Sequence, residues 1–196
     1  TTKIGDGIHT TPRYSDEADF YFINGNNLED GSICVTPSTQ RVGRAEYVKH
    51  YIDIDVNTIL YSINGTIGNI ALYNNEPVIL GKSAAYIKCK QKEYLKYIFY
   101  FMQSEFVKRF YVKEMTGSTI SNLSLAAIRA TLINVPTSSD EQMNISCRLD
   151  AISDRVLLES SLLQKLIEQK SGLMHDLLTG KVPVTVDTAT PEAAHG

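Results

Sequence analysis

The 196 residues contain no tryptophan, only three cysteines and only six prolines, and none of the prolines falls within residues 138–178. Cys34, Cys89 and Cys147 are widely spaced and odd in number. That excludes a disulfide framework, gives no zinc-ligand spacing, and fits reduced thiols. No apolar run approaches the ~18 residues that a membrane span needs. Residues 1–11 lack the basic-then-apolar pattern of an export signal, so the chain is expected to be soluble and cytoplasmic, without a membrane partner. Neither sign of charge dominates: 19 Lys and Arg stand against 22 Asp and Glu, a formal −3.

The chemistry that is missing is equally informative. Gly81-Lys82-Ser83 has the ending of a phosphate-binding P-loop, but Glu76 stands where the first glycine is required. Gly180-Lys181 fails in the same way, with His175 and Val182 at the required places, and no G-x-G-x-x-G exists. His9, His50, His175 and His195 are scattered without a neighbouring cysteine, so no metal site is expected. Asp53 and Asp55 share a face and could form an acid–base dyad, against the simpler reading of solvated strand carboxylates. Glu168-Gln169-Lys170 has nuclease-like spacing but sits on a helical repeat. No catalytic residue is expected, and no cofactor.

What is present is enough for a core: 43% of residues are hydrophobic, with 11 tyrosines and 6 phenylalanines. Residues 20–23, 33–35, 52–56, 59–63, 67–72 and 84–88 read as short strands between turn dipeptides. Among those dipeptides, Asn64-Gly65 suits a two-residue hairpin turn. Residues 92–115 switch to a helical period, with Leu95, Ile98, Phe99, Met102, Phe106 and Phe110 on one face. The aromatics of that helix are read as the anchor of the core, with stacking on nucleic acid as the sharper alternative. A short helix over 123–130 and a last strand over 131–135 follow. Charge is uneven: 14 basic against 13 acidic residues precede Ser138, and 5 against 9 follow. Lys82, Lys88, Lys90, Lys92, Lys96, Lys108, Arg109 and Lys113 form a local excess suited to phosphate.

Residues 138–178 carry the longest pattern. Ile145, Leu149, Ile152, Val156, Leu163, Leu166, Leu173 and Leu177 recur at steps of four and three, the 3.5-residue repeat of a coiled coil. Glu159 and Lys170 interrupt this seam, and Leu158, Leu162 and Ile167 broaden it. Ser138 with Glu141, and Ser139 with Gln142, offer capping boxes. Gly180 and Pro183 end the helix. At ~1.5 Å per residue it would span about 60 Å, a spacer and dimerisation device rather than a helix folded back on its own domain.

A set of loop residues could hydrogen-bond to DNA: Thr10, Thr11, Arg13 and Tyr14; Gln40, Arg41 and Arg44; Lys82 and Ser83; Ser118 and Thr119. Arginine addresses guanine bidentately, while Lys, Ser, Thr and Tyr commonly hold phosphate oxygens. Each alone also suits an ordinary solvated loop.

Several segments, taken in order, resemble one known family. They are Gly5-Asp6-Gly7-Ile8-His9-Thr10-Thr11-Pro12, Phe22-Ile23-Asn24-Gly25-Asn26-Asn27-Leu28 and Ser62-Ile63-Asn64-Gly65-Thr66-Ile67-Gly68-Asn69. Leu80-Gly81-Lys82-Ser83-Ala84-Ala85-Tyr86-Ile87, Thr116-Gly117-Ser118-Thr119 with Asn122-Leu123-Ser124, and Gly172-Leu173-Met174 with Leu177-Leu178-Thr179-Gly180-Lys181 complete the set. The chain resembles the specificity subunit of type I restriction-modification systems, as one target-recognition domain and one conserved helical region.

The resemblance implies an α+β fold. A β-rich recognition domain with flanking helices (residues 1–137) would precede a long helix (138–180) that forms an antiparallel coiled coil, and then a flexible tail (181–196). It also implies the partners: double-stranded DNA, modification (methyltransferase) subunits and restriction subunits. Methyl transfer, with S-adenosylmethionine, would belong to the modification subunit. In keeping with this, no two prolines here are adjacent, so the Pro-Pro of the amino-methyltransferase motif is missing. Family members usually carry two recognition domains. A chain with one would pair with a second copy or another half-subunit, and a symmetric pair would read an interrupted palindrome. The reading from another class is a coiled-coil adaptor that binds protein instead of DNA. An independent nuclease or methyltransferase would need a catalytic constellation that is not seen here.

Overall fold

Residues Thr58–Ser62 are all buried, and the first half of the chain is layered around them. The structure is a computed structural model that describes residues 1–115 and 122–184. The described residues form nine strands: β1 (Lys3–Asp6), β2 (Phe20–Ile23), β3 (Leu28–Glu29), β4 (Ser32–Ile33), β5 (Arg41–Val42), β6 (Thr58–Ser62), β7 (Ile70–Leu72), β8 (Val78–Leu80) and β9 (Ala84–Lys88). The helices are α1 (Arg44–Lys49), α2 (Lys92–Met102), α3 (Glu105–Glu114), α4 (Leu125–Ala130) and α5 (Ser139–Leu178). The chain divides into two compact units, Thr1–Cys147 and Arg148–Gly196. The fold is α+β with a long C-terminal helix.

In the first unit, β1, β9, β6 and β7 form one antiparallel sheet in that order. The register pairs Ile59 with Ile87, Leu60 with Tyr86 and Tyr61 with Ala85. Side chains alternate between the faces of a strand. Ile59, Tyr61, Ala85 and Ile87 therefore enter one core with Leu95, Ile98, Phe99, Met102, Val107, Tyr111 and Ile128 of the helices. Leu60, Ala84 and Tyr86 enter the other with Ile23, Leu28, Val78 and Leu80. That second core is closed by a sheet of order β5-β2-β8, in which β2 runs antiparallel to β5 and parallel to β8. A sheet covered on both faces explains why β6 has no exposed residue.

Four local expectations are corrected. The helix expected over 92–115 is two helices. Ser104 caps α3, its Oγ accepting from the Val107 amide at 3.4 Å. The break shifts the buried face, so Phe106 is 62% exposed while Val107 and Tyr111 are buried instead. Residues 52–56 form no strand. Asp53 and Asp55 each lie 3.3 Å from Lys88 Nζ, which gives both carboxylates a structural partner. The hairpin between β6 and β7 is wider than a two-residue turn, with positive φ at both Gly65 and Gly68. Residues 131–135 form no strand, because Thr131 closes α4 and its hydroxyl pairs with Tyr111 at 2.8 Å.

At the start of α5 the Glu141 amide donates to Ser138 Oγ at 3.4 Å. Gln142 does not pair with Ser139; its Nε2 donates to the Pro136 carbonyl at 2.7 Å, and the residue is buried in the first unit. Ile145 is half-buried. In the second unit, Leu149, Ile152, Val156, Leu163, Leu166, Leu173 and Leu177 are 39–61% exposed. Gly180 has φ +70° just beyond the helix, where a left-handed cap is needed. Among the described residues, no helix is long and apolar enough to cross a membrane.

Candidate nucleic-acid interface

One end of the β5-β2-β8 sheet gathers loops that are distant in sequence. Because β2 and β8 are parallel, the segments that follow them, residues 24–27 and 81–83, leave at the same end. Because β5 is antiparallel to β2, the loop that precedes it, residues 36–40, arrives there too. Residues 63–65 join them, since the Ile63 amide donates to the Ser83 carbonyl at 2.9 Å. Residues 8–14 cross the sheet, from a bridge between Ile8 and Gly81 to one between Tyr14 and Val42.

The loops approach closely enough to need glycine. A Cβ on Gly25 would strike Ser62 Oγ, one on Gly81 would strike Asn24 Oδ1, and one on Gly7 would strike the Leu80 backbone. Polar bonds then lock them together. Ser83 Oγ donates to Asn24 Oδ1 and accepts from the Gly25 amide, each at 2.9 Å. Asn27 Oδ1 accepts from the Asn24 amide at 3.0 Å, and its Nδ2 donates to the Cys34 carbonyl at 3.1 Å.

Two clefts open among these loops. The larger, about 600 Å³, is lined by Asp6, His9, Asn64, Gly65, Lys82 and Asn122 together with apolar neighbours. Here His9 Nε2 lies 2.8 Å from Asp6 Oδ2. The smaller, about 260 Å³, has Tyr14 and Phe22 as an aromatic wall with ring centroids 5.9 Å apart. Asn26, Asn27, Thr36, Ser38, Thr39 and Gln40 supply amides and hydroxyls, and Glu29 and Cys34 complete it. The Cys34 thiol is pushed up from its ordinary value by burial and then by the neighbouring Glu29 carboxylate.

The residues singled out from the sequence are divided by this geometry. Tyr14 and Gln40 meet in the smaller cleft, and exposed Lys82 lines the larger. Thr10, Thr11 and Arg13 are exposed on the segment that crosses between them. Ser83 is a tie between loops, its hydroxyl engaged on both sides. Arg41 lies on the edge strand with its guanidinium 5.0 Å from the Tyr21 ring, and Arg44 starts α1, beyond the far end of β5. Ser118 and Thr119 lie outside the described residues. The local basic excess is spread over two loops, a strand and two helices. Within it, Lys88 is engaged by Asp53 and Asp55, and Lys108 by Glu105 at 3.2 Å. Burial works against the Lys88 charge, yet its bonds to Asp55 and Asp53 hold its pKa above the ordinary value. Sequence reasoning missed His9, Asn26, Asn64 and the Thr36–Thr39 cluster. In the sequence Asn24-Gly25 and Asn64-Gly65 read as turn dipeptides, and the amide groups in and beside them are the only signal for a surface role.

Comparison with known proteins places this arrangement. Residues 10–168 match the model of the type I restriction modification DNA specificity domain. Among the solved structures that share the fold are two S subunits. One is the type-I restriction-modification system S subunit from M. genitalium, with a TM-score of 0.58 and 18% identity over 89% of this chain and 42% of that one. The other is the HsdS subunit from Thermoanaerobacter tengcongensis, with a TM-score of 0.54 and 18% identity over 97% and 49%. The chain thus spans less than half the length of the S subunits it matches. No curated protein matches it. With the match covering most of its length, the chain belongs to the type I restriction modification DNA specificity domain family.

Proposed function

We propose that this chain reads one half of a bipartite DNA target and directs methyltransferase and endonuclease subunits to it. It acts without catalysing either reaction and pairs through α5 with a second copy or another half-subunit. The observation that carries this reading is the convergence of five loops at one end of a rigid sheet pair, in a chain of the DNA specificity domain family. The polar side chains there suit base edges and phosphates. The exposed leucine seam supports pairing, because an apolar stripe of this length favours burial against another helix. Modification and restriction subunits would dock on the helical region, and S-adenosylmethionine would be bound by the modification subunit.

The experiment is retention on immobilised duplex DNA at low salt, followed by mapping of methylated adenines in cells that carry the chain with its partner subunits. A specificity subunit is retained, and its methylation pattern changes when loop residues such as Tyr14 and Gln40 become alanine. A protein adaptor passes through the column. Unchanged methylation in the double variant would remove those two residues from the reading surface.

A further inference from the structure

We infer that the smaller cleft recognises an adenine·thymine pair, with Asn26 and Gln40 addressing the adenine edge. This rests on the DNA-reading role proposed above and adds to it the class of base. Asn and Gln side chains match adenine bidentately, donating to N7 and accepting from the N6 amino group, whereas guanine is matched by Arg or Lys.

Asn26 and Gln40 are exposed at this cleft, and among the described residues neither side chain has a hydrogen-bond partner. The groups beneath them are satisfied. Asn27 is held by Asn24, Cys34 and Thr39, and Thr36 Oγ1 lies 2.9 Å from Ser38 Oγ. The backbones are fixed as well: the Phe22 amide donates to the Gln40 carbonyl at 2.9 Å, and the Cys34 amide to the Asn27 carbonyl at 2.7 Å. Two unpaired amides above a hydrogen-bonded floor are free to meet a ligand that both donates and accepts.

Charge sets this cleft apart from its neighbour. Its charged lining residue is Glu29, which repels phosphate, and among the described residues no Lys or Arg lines it. The larger cleft also holds a carboxylate, Asp6, but there His9 Nε2 lies 2.8 Å from it and Lys82 adds a positive charge, which suits a backbone phosphate.

The test selects duplexes from a randomised pool with the full chain. It then compares wild type with Asn26→Ala, Gln40→Ala and Lys82→Ala on the selected site at several salt concentrations. These exposed side chains can be removed without disturbing the core, and circular dichroism checks that. Asn26→Ala and Gln40→Ala should lose about 5- to 150-fold discrimination at one A·T pair, the equivalent of a bidentate contact, with the salt slope unchanged. Replacing that adenine by 7-deazaadenine should weaken wild type and leave the amide variants unaffected. Lys82→Ala should keep the base preferences and lower the salt slope by about one. A selected motif that survives both amide substitutions, or changes only at a G·C pair, overturns the inference while leaving the DNA-reading role standing. A wild-type chain that selects no motif overturns both.

Discussion

Cys89, Tyr73 and Tyr111 titrate late because their anions would be poorly solvated. Burial pushes the Cys89 thiol up to about 11, and pushes Tyr73 and Tyr111 each up to about 12. Tyr61 moves further in the same direction, again by burial first. In each case the unfolded chain gives up its proton at a lower pH than the folded one. The stabilisation is therefore complete below the ordinary values of 9.0 for Cys and 10.0 for Tyr and is lost as pH rises through the folded values. Lys88, also raised, adds to the same trend. Urea unfolding should show stability declining steeply from about pH 10 to about pH 12. A flat profile across that range would contradict the burial of these groups. Thiol alkylation tests the same packing at neutral pH. Exposed Cys147 should react first and half-buried Cys34 slowly, while buried Cys89 should react only after denaturation. Alkylation of Cys89 at the rate of Cys147 would refute this placement.

At the scale of elements, α5 and the α2–α3 pair show opposite relations between pattern and outcome. The seam of α5 was legible because its apolar residues keep one period over 40 residues, and the element runs over Ser139–Leu178. Shallow grooves lie along it, one lined by Ile152, Val156 and Leu163 and another by Leu166, Leu173 and Leu177. Replacing Leu163 and Leu166 with aspartate should give monomers by light scattering with the β-sheet circular dichroism retained. A dimer that persists in that variant would refute pairing through this seam. Over residues 92–115 the apolar period misled, because Ser104 competes for a capping role that periodicity does not register. Ser104→Ala should lower stability by about 1 kcal/mol, measured by urea denaturation. No change would show that the cap at 3.4 Å contributes little.

For the whole molecule, the proposed pairing through α5 bears on the symmetry of the DNA site. A homodimer formed through α5 presents two identical loop surfaces, so its site should be an interrupted palindrome. Footprinting of the selected duplex should show two identical half-sites; a single asymmetric footprint would point to a different half-subunit as the partner. The sequence by itself determined the mixture of short strands and helices, the extent of α5 and the apolar seam, because periodicity is a local property that survives without knowledge of the fold. It also identified Tyr14, Gln40 and Lys82 as surface polar residues. Only the tertiary structure decided that Asn26 belongs beside Gln40, that Ser83 is a tie between loops and that Arg41 lies over Tyr21. Those outcomes follow from the antiparallel pairing of β2 with β5, which sets Arg41 against Tyr21, from the parallel pairing of β2 with β8 and from the close packing of Gly7, Gly25 and Gly81. Such contacts join residues far apart along the chain, and no local pattern encodes which distant loops will meet.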